Sequence, residues 1–120
     1  MVDDEQVIRY LVASALSQVG CEVRAAESGE KALELLAHAS FDLLIVDLKM
    51  PEMSGERLFQ ELGRIRPEMM ERVIFMTGDM VSPDTVKFLD GTGRTAIAKP
   101  FAVEALKQTV ADELAKLDPT

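Results

Sequence analysis

Two short stretches of the chain are apolar without interruption, and they restrict the fold more than any other feature. They are residues 43–46 (LLIV) and residues 73–76 (VIFM). Continuous apolar runs of this length are typical of strands that are covered on both faces, as in a parallel sheet. Residues 21–26 and 94–98 are weaker strand candidates, and Val2 is the stub of a first strand. The sequence therefore predicts a parallel sheet buried between two layers.

Apolar residues recur at helical spacing in the segments that separate these strands. The stripes lie in residues 8–19, 32–36, 58–65 and 103–117. Residues 82–84 (SPD) predict the start of a further helix, with Ser82 as the capping residue and Pro83 at the first helical position. A strand followed by a helix, repeated five times, builds a parallel sheet with helices on both faces. No linker or internal repeat divides the chain, so residues 1–120 are predicted to form a single domain.

Composition and charge exclude several classes of function. The net charge of −8 argues against a nucleic-acid partner, because such partners are bound by clustered Lys and Arg. No stretch approaches the roughly 20 apolar residues of a membrane helix, and the acidic first residues are unlike a signal peptide. We therefore expect a cytoplasmic protein with no membrane partner. The single cysteine, Cys21, can form no internal disulfide, and the single histidine, His38, offers too little for a catalytic triad or a His-rich metal site.

Polar side chains follow four of the predicted strands. They are Asp3 and Asp4 after Val2, Asp47 after Val46, Thr77 after Met76, and Lys99 after Ala98. In a parallel sheet, ligands bind outside the carboxyl ends of the strands, so these side chains are expected at one edge. Each of them alone has an ordinary structural explanation, such as a turn or a solvated lysine. Five together at the correct strand ends are difficult to explain in that way.

Three carboxylates at one edge repel one another, and a hard divalent cation with oxygen ligands relieves the repulsion. Mg²⁺ typically binds one or two carboxylates together with waters and a phosphate. Phosphoryl transfer needs little more than an in-line nucleophile and positive charge on the transferring oxygens. Asp47 is the candidate nucleophile, Lys99 supplies a point charge, and Thr77 supplies a hydroxyl donor.

Four stretches of the chain resemble the receiver domain of two-component response regulators. They are residues 3–5 (DDE), 44–55 (LIVDLKMPEMSG), 75–79 (FMTGD) and 99–101 (KPF). Their order and separations match the family over essentially the whole chain, and residues 75–101 are most similar to receivers of hybrid sensor histidine kinases. The resemblance implies a flavodoxin-like, doubly wound α/β fold with a five-stranded parallel sheet in the order 2-1-3-4-5.

The resemblance also implies the roles of the acidic residues. Asp47 is the expected phosphoacceptor. The phosphoryl group would come from a histidine kinase or a histidine phosphotransfer protein. Asp4 and Asp47, with the backbone carbonyl of Lys49, are expected to hold Mg²⁺, and Asp3 is expected to act through water. Such a domain is a signalling switch that promotes its own phosphorylation and dephosphorylation, rather than a conventional enzyme.

The same resemblance assigns Thr77 and Lys99 to the phosphoryl oxygens and implies a cis peptide bond at Lys99–Pro100. Phosphorylation is expected to draw Thr77 inward and to shift a protein-interaction face. Ala96 departs from the family, which usually carries Tyr or Phe three residues before the lysine. The aromatic part of the usual relay is therefore not expected in this chain.

Two further expectations concern the first strand and the rim of the site. Only Met1 and Val2 precede the acidic pair, which predicts a truncated first strand and, with it, lowered stability or a compensating homodimer. Lys49 and Asp79 lie two residues beyond Asp47 and Thr77, and we expect them to pair over the site and hinder hydrolysis of the phosphoryl group.

Two alternative functions remain open at this point. A phosphorylation-independent adaptor could use the same fold, although such proteins usually lose the acceptor, an acidic residue or the lysine. A Mg²⁺-dependent aspartyl-phosphate phosphatase would place a second Asp two residues after the nucleophile, where this chain has Lys49. The downstream partner is not identified by the sequence.

Overall fold

The computed structural model describes residues 1–117 and shows a parallel sheet with helices on both faces. The elements in chain order are α1 (Gln6–Ser17), α2 (Gly29–His38), β1 (Leu44–Asp47), α3 (Gly55–Ile65), a 3₁₀ helix (Pro67–Arg72), β2 (Val73–Thr77), α4 (Pro83–Thr92), β3 (Thr95–Ala98) and α5 (Val103–Leu117). No helix among residues 1–117 is long and apolar enough to cross a membrane.

The sheet contains β1, β2 and β3, which lie parallel in that order. The uninterrupted apolar runs are in β1 and β2, and every residue of these two strands is buried. Successive residues point to opposite faces, so Val46 and Phe75 pack on the side of α2 and α3, whereas Ile45 and Ile74 pack on the side of α1 and α5. Burial on both faces explains why neither run contains a polar residue.

The first and second predicted strands are reduced to single-residue contacts. Val2 forms parallel bridges to Ala26 on one side and to Val46 on the other. The Val2 amide donates to the Ile45 carbonyl over 2.8 Å, and the Ala26 amide donates to the Met1 carbonyl over 2.8 Å. Residues 1–117 thus hold a three-stranded sheet and these bridges, not the five strands that the sequence predicts. A strand can pair only over the length of the segment beside it. Residues 21–26 lie beside Val2, which contributes one paired residue.

Among the α-helices in residues 1–117, α4 is the least anchored, because it alone contains no buried residue. Its main apolar contact is the ring of Phe88, which packs edge-on against Phe75 and Phe59 with ring centroids 5.3 Å and 6.0 Å apart. Ala96 and Leu89 pack against the same cluster. A change at the start of α4 therefore meets little resistance from the core.

The start of α4 differs from the sequence prediction in one respect. Ser28 caps α2 through its side chain, and Pro83 occupies the first turn of α4 as predicted, but the Ser82 side chain makes no capping bond. Ser82 thus lies at the predicted N-cap position, but the prediction that its side chain caps the helix is wrong. Asp79 Oδ1 instead accepts from the Val81 amide over 3.1 Å and from the Ser82 amide over 2.9 Å. A carboxylate can accept both amides at once, and it binds them before the helix begins.

Candidate functional site

The carboxyl ends of the strands bring the predicted polar residues to one edge. Asp47 is the last residue of β1, Thr77 is the last residue of β2, and Lys99 directly follows β3. The Lys99 amide donates to the Thr77 carbonyl over 2.8 Å. The bridges formed by Val2 place Asp3 beside Asp47 at the same edge. The prediction that these strand ends meet is confirmed.

Asp3, Asp4 and Asp47 form an acidic cluster. One carboxylate oxygen from each lies within 4.8 Å of the other two. Asp3 is fully buried and Asp47 is 4% exposed, whereas Asp4 is exposed to solvent. The Glu5 amide donates to Asp3 Oδ1 over 2.9 Å and fixes that carboxylate. The cluster is therefore held inside the protein on one side and open to solvent on the other.

The Lys99 ammonium group lies between two of these carboxylates. Its Nζ is 2.8 Å from Asp3 Oδ2 and 3.2 Å from Asp47 Oδ2, with Glu5 at 3.9 Å. Burial alone would lower the pKa of Lys99, but the hydrogen bond to Asp3 and the charges of Asp47 and Asp3 hold this pKa above its ordinary value. Lys99 is thus a fixed cation in the pH range where proteins function. The Lys99–Pro100 peptide bond is cis, as predicted.

The pKa of the Asp47 carboxyl group is also shifted from its ordinary value. Burial raises its pKa above the ordinary value, and the negative charge of Asp3 raises it further. The Lys99 ammonium and the Lys49 amide, which donates to Asp47 Oδ1 over 3.3 Å, oppose the rise without cancelling it. A poorly solvated carboxylate beside other negative charges is a stronger nucleophile and a better cation ligand than one in water.

Gly55 fixes the loop that follows Asp47. Its amide donates to the Leu48 carbonyl over 3.0 Å, and a Cβ at this position would lie 2.4 Å from the Asp47 carbonyl oxygen and 2.8 Å from Leu48 Cα. The same loop holds Glu52 at φ 67°, a left-handed conformation that costs about 1–2 kcal/mol for a residue other than glycine. The start of α3 can therefore approach the end of β1 only because residue 55 has no side chain.

Thr77 and Asp79 form a closed turn beside Asp47. Thr77 is 1% exposed, and its hydroxyl donates to the Asp79 carbonyl over 3.2 Å and accepts from the Asp79 amide over 3.0 Å. Asp79 Oδ2 lies 3.7 Å from Lys49 Nζ, so the predicted pairing of these two residues is present. The sequence analysis did not predict the steric role of Gly55 or the hydrogen bonds of the Asp79 carboxylate to the turn before α4. An Asp three residues before a Ser-Pro helix start is the pattern that could have revealed the latter.

The residues present fit a Mg²⁺ ion by their chemistry. The cluster offers carboxylate oxygens only, which are the ligands that hard divalent cations take. One of the three carboxylates faces solvent and gives an ion access. Three carboxylates also outnumber the two nearby cations, Lys99 and Arg9, which leaves an excess of negative charge that a cation would neutralise.

Comparison with known proteins identifies the family. Residues 1–111 match the family model described as the response regulator receiver domain. The chain belongs to this family of two-component signalling domains. It is 34% identical over 119 residues to the transcriptional regulatory protein GlrR of Escherichia coli K12, covering 99% of this chain and 26% of GlrR.

Two further similarities agree with this membership. The chain is 30% identical over 111 residues to the sensor histidine kinase RcsC of Salmonella typhi, covering 92% of this chain and 12% of RcsC. The signal receiver domain of a signal transduction histidine kinase from Syntrophus aciditrophicus has the same fold, with a TM-score of 0.87 at 26% identity over 99% of this chain and 90% of that one. The chain thus spans about a quarter of GlrR and about an eighth of RcsC.

Proposed function

We propose that this domain accepts a phosphoryl group on Asp47 from a histidine kinase or a histidine phosphotransfer protein, in a Mg²⁺-dependent reaction, and thereby switches a protein-interaction face. The observation that carries the proposal is the position of Lys99 Nζ, 2.8 Å from Asp3 and 3.2 Å from Asp47. This arrangement fixes a positive charge next to a buried carboxylate that sits in an acidic cluster, as phosphoryl transfer to a carboxylate requires.

The chemistry follows from the placement of the side chains. An Asp47 carboxylate oxygen attacks the phosphorus of a phosphohistidine, so that an O–P bond forms and the N–P bond breaks. The imidazole nitrogen keeps the bonding pair and takes up a proton. Lys99 stabilises negative charge on one phosphoryl oxygen, and the Thr77 hydroxyl donates to another.

Asp4, Asp47 and the Lys49 carbonyl oxygen would hold the Mg²⁺ ion, with Asp3 acting through water. The acidic cluster and the exposure of Asp4 support this assignment. When bound, the ion supplies positive charge to the phosphoryl oxygens and relieves the repulsion within the cluster.

The experiment that tests the proposal is incubation of the protein with MgCl₂ and acetyl phosphate, followed by intact mass spectrometry. We expect one added phosphoryl group, absent when EDTA replaces Mg²⁺. Reduction of the acyl phosphate with borohydride and peptide mapping should place the modified residue at Asp47. Incorporation at another residue contradicts the assignment, and a folded protein that takes up no phosphoryl group would favour the phosphorylation-independent adaptor.

We further propose that Lys49 and Asp79 slow hydrolysis of the phosphoryl group by covering it. Their 3.7 Å contact supports this role. Lys49→Ala is expected to shorten the half-life of phospho-Asp47 by a factor of about two to five, the range of an exposed ion pair. Lys31→Ala is the matched control, because Lys31 pairs with Glu34 at the same distance of 3.7 Å on α2. Equal half-lives in the two variants would disprove the covering role.

We also propose that the sheet order is 2-1-3-4-5, with residues 21–26 as the second strand and Val2 within the first. The two bridges of Val2, to Ala26 and to Val46, support this order. The short first strand is consistent with a homodimer or with lowered stability. Sedimentation equilibrium together with thermal unfolding separates these two outcomes.

A further inference from the structure

The Thr77 hydroxyl is already engaged in this structure. It donates its proton to the Asp79 carbonyl and accepts from the Asp79 amide, at 3.2 Å and 3.0 Å. A threonine hydroxyl carries a single proton. It therefore cannot donate to a phosphoryl oxygen on Asp47 and to the Asp79 carbonyl at the same time.

Asp79 connects this turn to two other parts of the molecule. Through Oδ1 its side chain accepts from the amides of Val81 and Ser82, immediately before α4. Through Oδ2 it lies 3.7 Å from Lys49 Nζ, in the loop after the acceptor. The amides of Ser82 and Val81 hold the pKa of Asp79 below its ordinary value, so the group that binds this turn is a carboxylate.

We propose that Asp79 is the positioning residue that couples phosphorylation of Asp47 to the start of α4. The inference rests on the proposed function. When Thr77 donates to the phosphoryl group, the turn at residues 77–79 loses a hydrogen bond and opens. The Asp79 carboxylate then leaves the Val81 and Ser82 amides, and the turn that leads into α4 loses the two hydrogen bonds that hold it.

The packing of α4 makes this coupling effective. The helix has no buried residue, and Phe88 is its main link to the core. Ala96, which pairs with Phe75 in the sheet, provides no aromatic ring to carry the change by another route. The two phosphorylation states thus differ in specific contacts at the start of one weakly held helix, as a two-state switch requires.

Amide hydrogen exchange, measured with and without acetyl phosphate and MgCl₂, tests this coupling. Intact mass on the same samples gives the extent of phosphorylation. In the wild-type protein we expect exchange at the start of α4, at the amides of Val81 and Ser82, to accelerate about fivefold on phosphorylation, the factor that corresponds to loss of an ordinary hydrogen bond. Helix α2, capped by Ser28, serves as the internal reference and should not change.

Three variants separate coupling from simple stabilisation. Asp79→Ala should exchange fast at α4 in both states, so that the difference between states is lost. Asp79→Asn keeps an oxygen that accepts the two amides and should restore the difference. Lys49→Ala removes the ion pair to Asp79 and should also retain the difference, once exchange is scaled to the measured extent of phosphorylation.

Two results would overturn the inference. If Asp79→Ala becomes phosphorylated and keeps the wild-type difference between states, the residue only stabilises the helix. If the wild-type protein becomes phosphorylated without any change at α4, the coupling does not exist although the proposed function stands. Absence of phosphorylation in the wild-type protein, detected by mass, is the separate result that contradicts the proposed function and the inference with it.

Discussion

Asp47→Asn is expected to receive no phosphoryl group from acetyl phosphate and to unfold at a higher urea concentration than the wild-type protein. The first effect is expected because the substitution removes the proposed nucleophile, and an amide oxygen does not form an acyl phosphate under these conditions. The second effect follows from the raised pKa of Asp47, which burial and the charge of Asp3 produce. A carboxylate that is costly to ionise in the fold destabilises it, and its neutral isostere should gain on the order of 1 kcal/mol.

The sign of the pH dependence gives an independent check. Because the pKa of Asp47 is higher in the folded than in the unfolded chain, the folded state binds the proton more tightly. The stabilisation from protonation is fully present at low pH and is lost as the pH rises through the folded pKa. The advantage of Asp47→Asn should therefore be full at neutral pH and should shrink in acid.

Urea unfolding in the presence of EDTA measures this difference, because bound Mg²⁺ would stabilise the wild-type protein and hide it. Asp42→Asn is a suitable control, since Asp42 is exposed and lies outside the acidic cluster. This variant should keep both the phosphoryl uptake and the wild-type stability. A variant at Asp47 that is less stable than the wild-type protein at neutral pH would contradict the electrostatic account.

Gly55→Ala is expected to destabilise the protein by about 3 kcal/mol, at the upper end of the usual range for overpacking. The new Cβ would meet the Asp47 carbonyl oxygen at 2.4 Å and Leu48 Cα at 2.8 Å. Both atoms belong to the main chain and cannot rotate away. The end of β1 and the start of α3 must separate, which also displaces the Asp47 side chain and slows phosphoryl uptake.

Gly91→Ala provides the matched control for this substitution. A Cβ on Gly91 meets nothing within 4 Å, and the residue lies within α4, where alanine is expected to add about 0.5–1 kcal/mol. Urea unfolding of the two variants should therefore show shifts of opposite sign. If Gly55→Ala unfolds at the wild-type midpoint, the fold does not require the close approach of residue 55 to the end of β1.

The sequence predicted the parts of the fold that depend on burial. The runs at residues 43–46 and 73–76 are apolar because β1 and β2 are covered on both faces. The apolar runs show where β1 and β2 end, and parallel strands end at the same edge of the sheet. It was therefore also predictable that Asp47, Thr77 and Lys99 lie close together. Residues 21–26 pair with Val2 through the single bridge of Ala26, because the length of pairing depends on the neighbouring segment, a property that local composition does not contain.

Local sequence patterns could not predict the hydrogen bonds before α4, for a different reason. Ser82 and Asp79 are both of residue types that bind nearby backbone amides, and here only Asp79 does so, through the amides of Val81 and Ser82. The turn at residues 77–79 is set by the Thr77 hydroxyl, which closes on Asp79. Which of several short polar side chains binds nearby amides is decided by three-dimensional geometry, so the sequence pattern indicated the helix start without indicating the hydrogen bonds of the turn before it.

The ion pair between Lys99 and Asp3 joins residues that are 96 positions apart in the chain. Contacts of such separation close long loops and are a feature of slowly folding topologies. A chain that is still emerging from the ribosome can carry Asp47 without yet having Lys99 beside it. The proposed phosphoryl transfer to Asp47 would thus depend on contact between residues distant in the chain, and only molecules that have finished folding would carry it out.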